Sequence, residues 1–175
     1  MPVSEPQAAI RTETENDFRA IHDLTKRAFQ GKRYSDGTEQ DLINNLRADG
    51  ALTLSFVAEQ DRIIVGHVAL SPAFASDGST GWYALGPIAV EPARQRQGIG
   101  GKLINEAMFC LTAMTAKGCI VIGDTNYYSR HGFVPRPDLA PKGEPAEHYM
   151  VRHLVDGTPD CVVSFHPILQ TSGTP

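Results

Sequence analysis

The residues of this chain with the clearest chemical potential are Gln95-Arg96-Gln97-Gly98-Ile99-Gly100-Gly101-Lys102. They follow an apolar run, 82–90, and precede a long amphipathic stretch, so the spacing predicts strand, glycine-rich turn and helix. Glycines let such a turn close tightly, so that several N–H groups at the positive end of a helix can converge on an anion. The segment therefore suits a pyrophosphate. Two other phosphate cradles fail against it. A Walker A loop needs Gly where Arg96 stands and Ser or Thr where Leu103 stands; a dinucleotide fingerprint beginning at Gly98 needs Gly or Ala at position 103. Taken alone, the glycines also fit a plain surface turn.

A second group is Tyr127-Tyr128-Ser129-Arg130-His131-Gly132-Phe133. On spacing alone, Tyr128 reads equally well as a packed aromatic with its hydroxyl at the surface. The six histidines offer less: His148 and His153 are five apart, and the others stand alone. None has partners at metal-ligand spacing, so no metal site is expected. His67 reads first as a core histidine of a central strand. Cys110, Cys119 and Cys161 are odd in number and lack CxxC spacing, which predicts small buried hydrophobes in a reducing, cytoplasmic setting.

These groups must be positioned by one core, because 175 residues amount to about one domain. Apolar residues at 41% and charged residues at 21% match a folded globular chain. Sixteen basic against twenty acidic residues, with the bases scattered, argue against a nucleic-acid partner. The longest run without a charged residue, 161–175, is largely polar, so no membrane span is expected.

Along the chain, Phe18, Ile21, Leu24, Thr25 and Ala28 recur at helical spacing, capped by Thr14 or Asn16. A second helix is expected over 38–48. The polar linker between them, 30–37, is suited to border a substrate cleft. Residues 52–59 and 63–74 read as a hairpin turning at Gln60-Asp61, with Pro72 as a break. After the strand over 82–90, the long helix is expected to end near Lys117-Gly118. A short strand over 119–123, a short helix over 126–131 and strands over 149–154 and 161–165 complete a mixed α/β order. Residues 1–9 and 168–175 are expected to be tails around a single domain over 10–167.

Leu85-Gly86-Pro87-Ile88-Ala89-Val90-Glu91-Pro92, followed by Gln95-Arg96-Gln97-Gly98-Ile99-Gly100, resembles the acetyl-CoA-binding signature of the GNAT superfamily of N-acetyltransferases. The Q-x-x-G-x-G core matches at every fixed position, and the elements over 10–167 fall in the family's order. The resemblance implies an α/β (α+β) fold with a mixed, mostly antiparallel sheet, splayed at the acetyl-CoA site and flanked by helices. It places the pantetheine arm along Ile88, Ala89 and Val90, with Gly86-Pro87 suited to a bulge. The pyrophosphate falls to Gln95, Arg96, Gln97, Gly98, Ile99, Gly100, Gly101 and Lys102. Tyr128 takes the place of the family's catalytic tyrosine in Y-x-x-x-G-F, while Tyr127 reads as packing. Asn126 becomes a cofactor contact, although Asp124-Thr125-Asn126 departs from the longer loop common in the superfamily.

The implied chemistry is direct acyl transfer from acetyl-CoA to a primary amine, on a small molecule or a peptide, by a monomer or homodimer. The alternatives are an acyl-CoA-binding regulatory or inactive module of the same fold, and a purely structural domain with no use for the cradle. An alkyl amine of pKa ~10.4 is only ~0.04% neutral at pH 7, a handicap of about 4.6 kcal/mol. Many relatives meet it with a glutamate on the strand before the cradle, where this chain has Ala84. Two readings follow. Either a water chain ends at His67, Glu147 or His148, or the acceptor has an intrinsically low pKa.

Overall fold

The computed structural model describes residues 7–170. Its main sheet has seven strands in the order β1-β2-β3-β5-β6-β8-β7. In chain order these are β1 (Ala9–Thr12), β2 (Leu54–Gln60), β3 (Ile63–Pro72), β5 (Trp82–Val90), β6 (Gly118–Ile122), β7 (Val134–Pro135) and β8 (Tyr149–His153). Every neighbouring pair is antiparallel except β5 and β6, which run parallel. A two-stranded sheet pairs β4 (Phe74–Ala75) with β9 (Val163–Ser164). The mostly antiparallel mixed sheet is the one expected.

Four α-helices lie among the described residues. Helices α1 (Phe18–Phe29) and α2 (Glu39–Ala48) cover one face. Their buried stripe, Ile21, Leu24, Ala28 and Ile43, packs on Val57, Ala69 and Ala89. Helix α3 (Ile99–Ala113) covers the opposite face, where Ile99, Leu103, Ile104, Ala107, Met108 and Leu111 meet Phe56, Ala58, Val68 and Leu70. The period-2 alternation of β2 and β3 sends successive side chains to these two layers. Gly66 sets how closely α3 approaches: a Cβ there would lie 2.9 Å from Ile99 Cγ2 and 3.0 Å from Leu103 Cδ1. The short α4 (Thr125–Ser129) follows β6.

Four details differ from the sequence expectations. β1 begins at Ala9, within the segment expected as a tail, and is held by pairing with β2 and by Arg11, which bridges Asp17 and Glu59 at 2.7 Å each. The helix expected to reach Lys117 stops at Ala113, because Thr115 takes a left-handed φ of 59° and the Ala116 N–H closes on Leu111 O at 3.0 Å. The strand expected over 161–165 is two residues long, and a single turn of 3-10 helix, Pro167–Leu169, extends into the expected C-terminal tail. Residues 1–6 and 171–175 of the expected tails lie outside the described residues.

Candidate active site

The site starts where β5 and β6 part. They pair only over Trp82–Ala84 and Gly118–Ile120; beyond that β6 pairs with β8, and β5 pairs with β3 alone. An extra residue on β5 enters the ladder between the Leu70–Leu85 and Val68–Ile88 pairs. This bulge falls on Gly86-Pro87, where Gly86 has a φ of 134° and the peptide bond to Pro87 is cis. Proline lacks an N–H to lose there, and only glycine accepts that φ without strain.

Past the bulge, the alternation of an antiparallel ladder decides which peptides face the gap. The Glu91 N–H donates to Val65 O at 2.8 Å, which makes that pair, and the His67–Ala89 pair two residues back, the hydrogen-bonded ones. The Ala89 peptide is therefore turned to β3, and its side chain is buried against Leu24 and Ala28. The Ile88 and Val90 peptides face away from β3, into the gap. Consistent with this, the Val90 carbonyl accepts from Gln95 Nε2 at 3.2 Å.

The gap opens onto the glycine-rich turn. Gln95 is extended, Arg96 has a φ of 63°, and Gly98, which caps α3, has a φ of 82°. Two left-handed residues, with Gln97 between them, turn successive N–H groups toward a common point. The Lys102 N–H is the one that returns to Gly98 O, at 3.1 Å, so those of Ile99, Gly100 and Gly101 lie in the unpaired first turn. Gln95, Arg96, Gln97 and Gly98 are exposed, while the Lys102 amine donates to Gln7 at 3.2 Å. A Cβ at Gly98 would meet nothing within 4 Å, so glycine is required there by its backbone angle and not by space.

The other wall is α4. The Asp124 side chain caps it, accepting from the N–H groups of Asn126 at 2.9 Å and Tyr127 at 3.3 Å. Asn126 itself is exposed. Tyr128 is buried, its ring edge-on to Phe133 with centroids 5.7 Å apart, and Gly123 leaves room for it: a Cβ there would lie 2.5 Å from Tyr128 Cε2. Burial pushes the Tyr128 phenol well above its ordinary value, and Tyr127, Cys119, Tyr34 and Asp124 push the same way. Its hydroxyl thus lies within electrostatic reach of β6 and of the α1–α2 loop.

Tyr34 is a residue that the sequence reading did not single out. It stands on the loop expected to border a cleft, 77% exposed, with its ring edge-on to Phe29. An aromatic in an otherwise polar linker was the available signal. The histidines and cysteines fall elsewhere. His67 is fully buried beneath α1, flanked in register by Val57 and Ala89, and its Nε2 lies 2.7 Å from Ser55 Oγ. Ser55 Oγ donates in turn to Glu13 at 2.5 Å, and Arg47 grips the same carboxylate. Burial, with Arg47 second, pulls the imidazole down to about 3. Cys119 is buried and its thiol is pushed up to about 12 by burial.

A parted parallel strand pair, a bulge before the gap and a turn of unpaired N–H groups at the head of the following helix are the arrangement the resemblance implies for a coenzyme-A-dependent acyltransferase. Sequence and structural comparison agree with that class. An acetyltransferase (GNAT) domain model matches residues 52–135. The uncharacterized N-acetyltransferase YhbS of Escherichia coli K12 is 34% identical over 71% of this chain and 72% of its own length. YjhQ of the same strain, also an uncharacterized N-acetyltransferase, is 33% identical over 77% and 72%. The chain belongs to the GNAT superfamily of N-acetyltransferases. A GNAT acetyltransferase from Brucella melitensis, solved in complex with acetyl-CoA, superposes with a TM-score of 0.81 at 37% identity, over 94% of this chain and 99% of that one. YhbS from Escherichia coli, solved in complex with CoA, gives 0.87 at 27% identity, over 99% and 97%.

Proposed function

We propose that this chain transfers the acetyl group of acetyl-CoA directly to an amine, with the thioester held in the gap between β5 and β6. The observation that carries this reading is the convergence of three features: gap-facing Ile88 and Val90 peptides, the left-handed turn at Arg96 and Gly98, and the buried Tyr128. In this reading the pantetheine arm runs along Ile88 and Val90, as an additional strand would. The N–H groups of residues 96–101 take the pyrophosphate, and Arg96 and Lys102 add positive charge. In this reading Asn126, exposed at the start of α4, contacts the arm.

The neutral amine attacks the thioester carbonyl, the C–S bond breaks, coenzyme A leaves as thiolate, and the nitrogen gives up its extra proton to solvent as the amide forms. A gap-facing N–H of β5 stabilises the oxyanion, and Tyr128 donates a hydrogen bond to the departing sulfur. Complete proton transfer from a tyrosine near 10 to a thiolate near 8.5 is uphill by about 2 kcal/mol, and the burial of Tyr128 steepens that. Tyr128 therefore serves as a donor, and the thiolate takes its proton from solvent.

The base reading narrows as well. His67 is sealed under α1 and disfavours a proton, which makes it a poor terminus for a water chain. Glu147 and His148 are exposed and face one another at 4.0 Å. An acceptor whose amine has a low intrinsic pKa, such as an α-amino group or aminoacyl group, meets the handicap without help from a buried base. The test is a panel of amines with acetyl-CoA, scored by thiol release and by mass of the acetylated product. Release of coenzyme A with matching product supports transfer. Tight acetyl-CoA binding with no release above hydrolysis for any amine would leave the chain as an acyl-CoA-binding module.

A further inference from the structure

The glycines of the cofactor turn do not all serve the same purpose. Gly98 is fixed by its left-handed φ in open space. Gly100 lies within α3 with no unusual φ, and alanine at a helical position is favoured over glycine by about 1 kcal/mol. Its small size answers a contact instead. A Cβ at Gly100 would lie 2.5 Å from the Tyr127 hydroxyl oxygen, whereas the next atoms, Tyr127 Cζ and Val90 Cγ2, are at 3.7 and 3.8 Å. At Gly101 the corresponding neighbour is His131 Cε1, at 3.2 Å.

The Tyr127 ring cannot swing aside freely. It is edge-on to Tyr128 and to His131, with centroids 5.1 Å away in both cases, and the Arg130 guanidinium stands 5.6 Å over it. Helix α4 has five residues, too few to hold a helix by itself. Its position rests on the Asp124 cap, on Tyr128 packed against Phe133, and on this seat against the first turn of α3. The turn that would hold the pyrophosphate and the helix that carries the reacting hydroxyl are thus neighbours through the Tyr127 side chain.

We propose that Tyr127 is a positioning residue: its ring, seated beside Gly100 and edge-on to Tyr128, couples the cofactor-binding turn of α3 to the placement of Tyr128. The role assigned to Tyr128 is the one given under the proposed function, and the seat itself does not depend on it. Packing that adds a methyl group against a held ring costs enough to change a binding or rate constant by about tenfold. In this account Gly100→Ala displaces Tyr127, and through it Tyr128.

The experiment is a double-mutant cycle of Gly100→Ala and Tyr127→Phe. Acetyl-CoA affinity is read by calorimetry, kcat and KM are read separately with an amine the wild type acetylates, and folding is read by thermal unfolding. Phenylalanine removes the atom that a Gly100 Cβ would meet at 2.5 Å and keeps the ring. Tyr127→Phe alone is expected to lower kcat by no more than about threefold, since the ring that packs on Tyr128 stays in place. Gly100→Ala is expected to lower kcat about tenfold, and the double variant is expected to recover to the level of Tyr127→Phe. A double variant no better than Gly100→Ala would overturn the proposal, because the added methyl would then obstruct the cofactor directly. An unaffected Gly100→Ala enzyme would overturn it as well. Tyr127→Ala adds no atom and removes the seat, and it should lower kcat more than it changes acetyl-CoA affinity; unchanged kcat refutes the positioning role. If Tyr128→Phe leaves turnover untouched, the role of Tyr128 fails, while recovery of the unfolding temperature in the double variant relative to Gly100→Ala still decides the seat.

Discussion

Replacing Gly98 isolates the backbone geometry of the turn from its space. With a φ of 82° and nothing within 4 Å of an added Cβ, every substitution at Gly98 changes one thing first, the cost of the left-handed conformation. For alanine that cost is about 1–2 kcal/mol; asparagine hydrogen-bonds locally and bears less of it, and a β-branched valine bears more. If the turn must hold this angle to bind, acetyl-CoA affinity should fall in the order Gly98, Asn, Ala, Val. The alanine step is then about fivefold to thirtyfold, since 1.4 kcal/mol is tenfold. The body of the fold should survive, because the turn is exposed and no core atom moves. In a chain of this size a 1–2 kcal/mol loss lowers the unfolding temperature by no more than about 8 °C. Calorimetric titration with acetyl-CoA, paired with thermal unfolding, separates the two effects. A folded Gly98→Val variant with wild-type affinity would refute the assignment of this turn to the cofactor.

Gly66→Ala should destabilise the protein by about 1–3 kcal/mol, measured by urea unfolding, because its Cβ would fall 2.9–3.2 Å from Ile99, Leu103 and Ala58 in a packed layer. Acid should act through His67. Its folded pKa of about 3 lies below the ordinary 6.5, so the stability it contributes is complete above 6.5 and is lost as pH falls toward 3. The groups around it are Ser55 and Glu13 on the sheet side and Arg47 from α2. Unfolding free energy measured between pH 6 and 4.5 should fall with a slope of up to about 1.4 kcal/mol per pH unit from this one proton. A His67→Gln variant should lose that part of the slope, and an unchanged slope would contradict it.

How far the site was legible depends on what each residue answers to. Gly98 and the Q-x-x-G-x-G spacing were readable because left-handed backbone and helix N-termini leave their mark on residue type. The Gly86-Pro87 bulge was readable for the same reason. Gly100 looked identical in sequence, yet it answers to Tyr127, about thirty residues away, which no local rule reveals. Tyr127, expected to be a packing residue, does pack, against Gly100 in the first turn of α3. β1 was missed because Ala9–Thr12 is four residues without flanking turn signals, and it is held by pairing with β2 and by the bridge from Arg11 to Glu59. The end of α3 was placed late because glycine at 118 drew attention, while Thr115, a β-branched residue seldom left-handed, ends the helix. Ala89 shared a strand with Ile88 and Val90, and only the ladder register shows that its peptide is turned the other way.

The central claim, that the gap between β5 and β6 carries out acetyl transfer with Tyr128 at the leaving sulfur, is tested most directly by Tyr128→Phe. The substitution removes one oxygen from a buried ring and leaves the Phe133 contact in place. Acetyl-CoA affinity, by calorimetry, and turnover, by thiol release where chemistry limits the rate, are measured on the same preparation. The account predicts affinity within a few-fold of wild type and turnover lower by about 10- to 1000-fold, the range for losing one preorganised donor. Turnover equal to wild type under those conditions would contradict it.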